Sequence, residues 1–390
     1  MLKNLFFAAT MSLGIGTHSL AAEVTDSDEM WHNMRQEGRF AYEWFYFDTH
    51  NPDGSSIVIA FLGPNPYDVS TSTLIKPSGI KNHVGVLVQV VTAEGKRLQV
   101  LDYSRNNDIE FSSAPFKLRI GNSVLNMKKM PNQLPEYFIE LDAIDKDTGI
   151  RIKANITMEA LMKGWKHKEG YVYTDGKDYH KWFVTVPKGE VSGSYEFVST
   201  KGHLLYRNLM NKSSGYHDHN YGTLPISDTT DGWYWGRAEV GDKTIIYTQV
   251  WGKSGPAFLG DMTYRKNPPS TMFYMATENE ILVDSDEMVL NDFGPNNKVE
   301  LSNGMIVPKN YQMKVIGLDT EQYVVDVIPN KTLAVAVPYY SRQAGTISVC
   351  QQKNSVELSD SICEQSDVLI AEQIDYPRFL QIELGLPKPW

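Results

Sequence analysis

The chain has 390 residues, and its acids outnumber its bases to give a formal charge of −10. An acidic chain with no locally basic segment repels phosphate backbones, which argues against nucleic acid as a partner. Its two cysteines form no Cys-x-x-Cys pair, so neither a thioredoxin-like redox site nor a cysteine zinc cluster is indicated.

At the amino end Lys3 precedes an apolar run from Leu5 to about Ile15 and the small-residue stretch Ser19-Leu20-Ala21-Ala22. The run is shorter than the about 20 apolar residues that a membrane-spanning helix needs, so residues 1–22 read as a cleaved secretory signal peptide. The mature protein is then expected to be periplasmic or secreted. Losing the leader removes Lys3 and no acid, which moves the formal charge to −11. The remaining chain of about 368 residues exceeds what one hydrophobic core usually supports, so two domains are expected.

Asp26 to Gln36 predicts a short helix capped by Asp or Ser, and helical periodicity is otherwise nearly absent. Strand signals dominate instead. Residues 56–62, 83–91 and 244–251 are rich in β-branched and aromatic side chains. Turn chemistry separates such runs, as in Asn51-Pro52-Asp53-Gly54, Ala93-Glu94-Gly95-Lys96, Asp147-Thr148-Gly149 and Val240-Gly241-Asp242-Lys243. Many short strands joined this way predict an all-β protein of antiparallel sandwiches or barrels. Polar stretches at 211–215 and 225–228 suggest a boundary near 205–230, giving domains 23–215 and 216–390. In an oxidising compartment Cys350 and Cys363 are expected to form a disulfide across a short loop.

Chemistry concentrates in Tyr216-His217-Asp218-His219-Asn220. Side chains alternate along a strand, so Tyr216, Asp218 and Asn220 share one face while His217 and His219 share the other. A His-x-His pair on one face can ligate a metal. No third ligand follows at a suitable spacing, so the histidines read as structural and no metal is expected. Asp218 lies among Tyr216, Tyr221, Trp233, Tyr234 and Trp235, with Arg237 just beyond. Among so many rings a carboxyl is desolvated, held protonated and able to donate a proton. Aromatic faces can also stabilise a cation by about 0.5–2 kcal/mol each. Two other segments are weaker alone: Glu43-Trp44-Phe45-Tyr46-Phe47-Asp48, and Tyr179-His180-Lys181-Trp182-Phe183-Val184, where His180 and Trp182 share a face.

Four pieces, in order, resemble the family of carotenoid 1,2-hydratases, or hydroxyneurosporene synthases. They are residues 43–47, 180–187 (His-Lys-Trp through Val-Pro), 216–222 (Tyr-His-Asp-His-Asn-Tyr-Gly) and 233–237 (Trp-Tyr-Trp-Gly-Arg). The resemblance implies two lipocalin-like (calycin) β-domains around an apolar pocket, with His180, Trp182, Tyr216 and Asp218 as catalytic residues. It departs from the pattern at Phe45 and Tyr221, where the family usually has Trp, and in a longer stretch between Trp182 and Tyr216; such changes are expected to reshape the pocket.

The expected activity is cofactor-independent hydration of a carbon–carbon double bond in an isoprenoid or similar lipid. Trp233, Trp235, Tyr221, Arg237 and Asn220 are the expected substrate contacts. Glycines form no GxGxxG or phosphate loop, and no cofactor is expected. The alternatives are an isomerase or cyclase of polyenes, and a periplasmic lipid carrier or export accessory without catalysis. Exchange of a lipid with a bilayer would require transient membrane contact. The sequence carries no signature of oligomeric state.

Overall fold

The computed structural model describes residues 22–37, 41–63, 84–104, 109–252, 269–334, 340–352 and 362–375. Of the expected leader, residues 1–21 lie outside the described residues, as does His83. Runs of β-branched and aromatic residues broken by turns produce antiparallel strands almost throughout. Asp26–Glu29 forms one helical turn and Met34–Gln36 a 3-10 turn, so the predicted continuous helix is interrupted. A left-handed Asn33, at φ 53°, precedes the second turn.

Among the described residues there are two main sheets, of 14 and nine strands. In the first, Ser56–Leu62, Tyr42–His50, Leu204–Gly222, Tyr179–Val198 and Arg151–Ala160 are successive neighbours. In the second, Lys243–Gly252, Thr230–Val240, Ile362–Asp375 and Tyr340–Gln352 follow one another. Each sheet curls into a lipocalin-like half-barrel with its own apolar core. A third core, including Trp165, Trp182, Tyr216, Trp235, Ile246 and Ile370, joins the two. Among the described residues no helix is long and apolar enough to cross a membrane.

The Leu204–Gly222 strand belongs wholly to the first sheet, and the second begins at Thr230 after the short helix Ile226–Thr229. A boundary at 215/216 would cut that strand, whereas the change of sheet falls between Gly222 and Thr230. Cys350 and Cys363 are paired across neighbouring strands of the second sheet and joined by a disulfide.

Candidate active site

Register places the three polar segments side by side. The Leu204–Gly222 strand lies between Tyr42–His50 and Tyr179–Val198, with Asp218 opposite Tyr46 on one side and Val184 on the other. Alternation sends Trp44, Tyr46, Trp182, Asp218 and Asn220 toward the second sheet, where Trp233 and Trp235 meet them. Gly236 leaves room beside Trp235 for Tyr247, whose hydroxyl and ring a side chain there would strike.

Asp218 is buried, 6% exposed, yet both its oxygens accept hydrogen bonds. Tyr216 Oη donates to Oδ2 at 2.8 Å and Trp182 Nε1 donates to the same oxygen at 3.1 Å. Asn220 Nδ2 donates to Oδ1 at 2.7 Å. Burial disfavours the charged form and these donors favour it. Burial prevails and raises the carboxyl to about 8, leaving it mainly protonated at neutral pH. Once its proton leaves, three donors are already in place to hold the carboxylate.

His180 joins the network through Asn220, whose Oδ1 accepts from His180 Nε2 at 3.2 Å. Because Asn220 uses its amide N–H toward Asp218, its oxygen faces the histidine, and Nε2 must carry the imidazole proton. Burial lowers His180 to about 4, so the ring is neutral. Its Nδ1 keeps a lone pair, buried and without a partner among the described residues. Asn220 thus holds an acid and a base in one chain of contacts.

The opposite face of the strand is structural. His217 Nε2 meets Glu29 Oε1 at 2.8 Å, and its Nδ1 meets the Tyr46 carbonyl at 2.8 Å. His219 repeats the pattern, with Nε2 3.0 Å from Glu43 Oε1 and Nδ1 2.7 Å from the Asp28 carbonyl. Facing carbonyl oxygens, both Nδ1 atoms carry protons, and each Nε2 shares one with its glutamate. The rings stack on Phe47 and Phe45, with centroids 3.8 and 4.0 Å apart. These contacts pin the amino-terminal turn behind the strand that carries Asp218. Among the described residues no group of three or more His, Cys, Asp or Glu side chains is arranged to hold a metal.

Between the sheets lies a mostly apolar cavity of about 280 Å³. His180, Trp182, Asp218, Asn220, Trp233 and Trp235 line it; Tyr216 does not, and stands behind Asp218 as a hydrogen-bond donor. Two expected substrate contacts fall elsewhere. Tyr221 sits on the histidine face, packed with Met34, Ala41 and Phe183, because position 221 alternates away from 218 and 220. Arg237 is drawn past the cavity by Asp48, whose Oδ1 accepts from Nε at 2.7 Å, so it braces the sheets rather than touching a ligand. Phe45 also faces the first core, so neither it nor Tyr221 reshapes the pocket directly. Sequence reasoning missed Tyr340 and Glu372, and quoted Trp44 and Tyr46 without assigning them to the cavity that all four line.

No family model matches the chain. A hydroxyneurosporene dehydrogenase of Chlorobaculum tepidum is 25% identical over 237 residues, 58% of this chain and 60% of that protein. This likeness supports the family read from the four segments. The match spans less than two thirds of that relative's length. A quinolone epoxide rearrangement protein of Emericella nidulans is 22% identical over 102 residues, 26% of this chain and 25% of that protein. Among solved structures, CghA with bound Sch210972 superposes with a TM-score of 0.57 at 10% identity, covering 86% of this chain and 89% of that one. That superposition shows a shared fold.

Proposed function

We propose that the protein adds water to a carbon–carbon double bond of an isoprenoid or another largely apolar molecule, using its own side chains and no cofactor. One observation carries this reading: a buried carboxyl, Asp218, lines an aromatic cavity where burial favours its protonated form and three donors stand ready for its conjugate base. The Asp218 proton goes to one alkene carbon, the π electrons form the new C–H bond, and a cation is left on the other carbon. Trp44, Trp182, Trp233 and Trp235 surround that cation. Each face contributes about 0.5–2 kcal/mol to its stabilisation. Water attacks the cation and forms the C–O bond, and its proton passes to His180 Nδ1. Transfer back to Asp218 resets the pair.

The names of the two relatives support a small-molecule reaction without choosing the reaction class, since one is a dehydrogenase and the other an epoxide rearrangement protein. A rearrangement would begin with the same proton donor and end without added water. The discriminating measurement is incubation with an acyclic isoprenoid in ¹⁸O-labelled water. Hydration puts one labelled oxygen in the product; an unlabelled isomer would replace hydration by rearrangement, and tight binding with no conversion would leave a carrier. The leader read in residues 1–22 supports a periplasmic or secreted setting for this activity.

Two ionisations bound the activity. Asp218 must be protonated and His180 neutral, so kcat/KM is expected to rise with pH through about 4 and to fall above about 8. A profile that stays flat through the upper limit contradicts the role of Asp218.

A further inference from the structure

The cavity holds a second carboxyl that hydration leaves unused. Glu372 lines it from the second sheet, whereas Asp218 belongs to the first. Its Oε1 accepts from the hydroxyls of Tyr46 at 3.0 Å and Tyr340 at 2.9 Å, and Arg342 Nε lies 3.4 Å away. Its Oε2 takes no partner among the described residues and is left open to the cavity the side chain lines.

Neighbouring charges act on Glu372. Behind the cavity wall two buried arginines, Arg237 and Arg342, face Asp48 and Glu372, and the partly exposed Glu239 lies 4.0 Å from Arg237 Nη1. Buried charges persist when paired, and the Arg342 guanidinium beside Glu372 favours its ionised form. Burial raises the Glu372 carboxyl, and Arg342 together with the two tyrosine hydroxyls opposes that shift. An ionised carboxylate accepts hydrogen bonds and donates none. An open carboxylate oxygen on an apolar wall therefore asks for a donor from the ligand.

We propose that Glu372, braced by Tyr46 and Tyr340, is the subsite for a hydroxyl group on an otherwise apolar ligand, so that the molecule bound is an isoprenoid-type alcohol rather than a bare hydrocarbon. The inference rests on the reading of this cavity as the substrate site. It deepens that reading by giving the substrate a polar end. Anchored at Glu372, the hydroxyl fixes which double bond along the chain reaches Asp218, and so sets the position of the new bond.

Geraniol and geranyl methyl ether share a carbon chain and differ in that donor. Their binding to the full chain is read from quenching of the four cavity tryptophans. Wild-type protein is expected to bind the alcohol about tenfold more tightly, the usual worth of a hydrogen bond to a charged group. In Glu372→Gln that preference should shrink below about threefold, because the neutral amide is a weaker acceptor. If loss of the charge prevents folding, Glu372→Gln combined with Arg342→Gln restores the balance and is held to the same expectation. Asp218→Asn should keep the preference while losing turnover. Equal affinities in wild type, or an undiminished preference without Glu372, overturn the subsite and leave the chemistry of Asp218 standing. Failure of both probes to bind overturns the subsite together with the cavity reading beneath it.

Discussion

Asp218→Asn is expected to lower turnover by about 10²- to 10⁴-fold, the usual range for loss of a general acid, while ligand binding survives. Asparagine keeps the volume of the side chain and has no acidic proton to give to an alkene. Stability should move the other way. The Asp218 carboxyl sits at about 8 in the folded protein against 3.8 for a free side chain. Between these values the folded state holds a proton that the unfolded chain has lost, so wild-type stability falls as pH rises through the window. Asparagine does not titrate, and above pH about 8 the variant is expected to be the more stable of the two. Turnover and thermal melts on either side of that pH check both halves. Near-normal turnover in the variant would remove Asp218 from the chemistry.

Arg237→Leu is expected to destabilise the protein by about 3–5 kcal/mol, the typical cost of stranding one partner of a buried ion pair. Asp48 is fully buried and accepts from Arg237 Nε at 2.7 Å, while the Tyr46 hydroxyl, 3.3 Å from its other oxygen, gives its one proton to the nearer Glu372. Arg342 Nη2, at 3.4 Å, is a poor substitute. Asp48 lies on the first sheet and both arginines on the second, so the loss loosens the junction that forms the cavity. The guanidinium carbon of Arg237 also sits 5.9 Å from the ring centroid of Tyr216, which orients the acid. Denaturant titration should show a lower midpoint for Arg237→Leu, with a smaller loss when Asp48→Asn accompanies it. A double variant no more stable than Arg237→Leu would mean that the stranded charge is not the cause.

Strand period alone separated the working face of residues 216–220 from its scaffold, because a half-buried strand must alternate. The same rule assigns Tyr221 to the histidine face, where it packs beside Phe183; proximity in sequence to Asp218 was the weaker guide. Arg237 shares a face with Trp233 and Trp235, yet alternation says nothing about how far along the strand a cavity extends. Its partner Asp48 stands 189 residues earlier. Glu372 and Tyr340 had no local signal: each reaches the site through the curl of the second sheet, and Glu372 meets Tyr46 across 326 residues of chain. Glu29 likewise belongs to a weakly helical stretch whose importance lies in the histidine it meets, 188 residues away. Local periodicity reveals which face a side chain takes, and long-range register decides what that face meets.

The claim on which the rest depends is that Asp218 carries a proton at neutral pH. An infrared difference spectrum of wild type minus Asp218→Asn, recorded as a pH titration, reads that proton directly. A carboxylic-acid C=O band should be present at neutral pH and give way to carboxylate bands as pH rises through about 8. A carboxylate signature already complete below neutral pH would contradict the account.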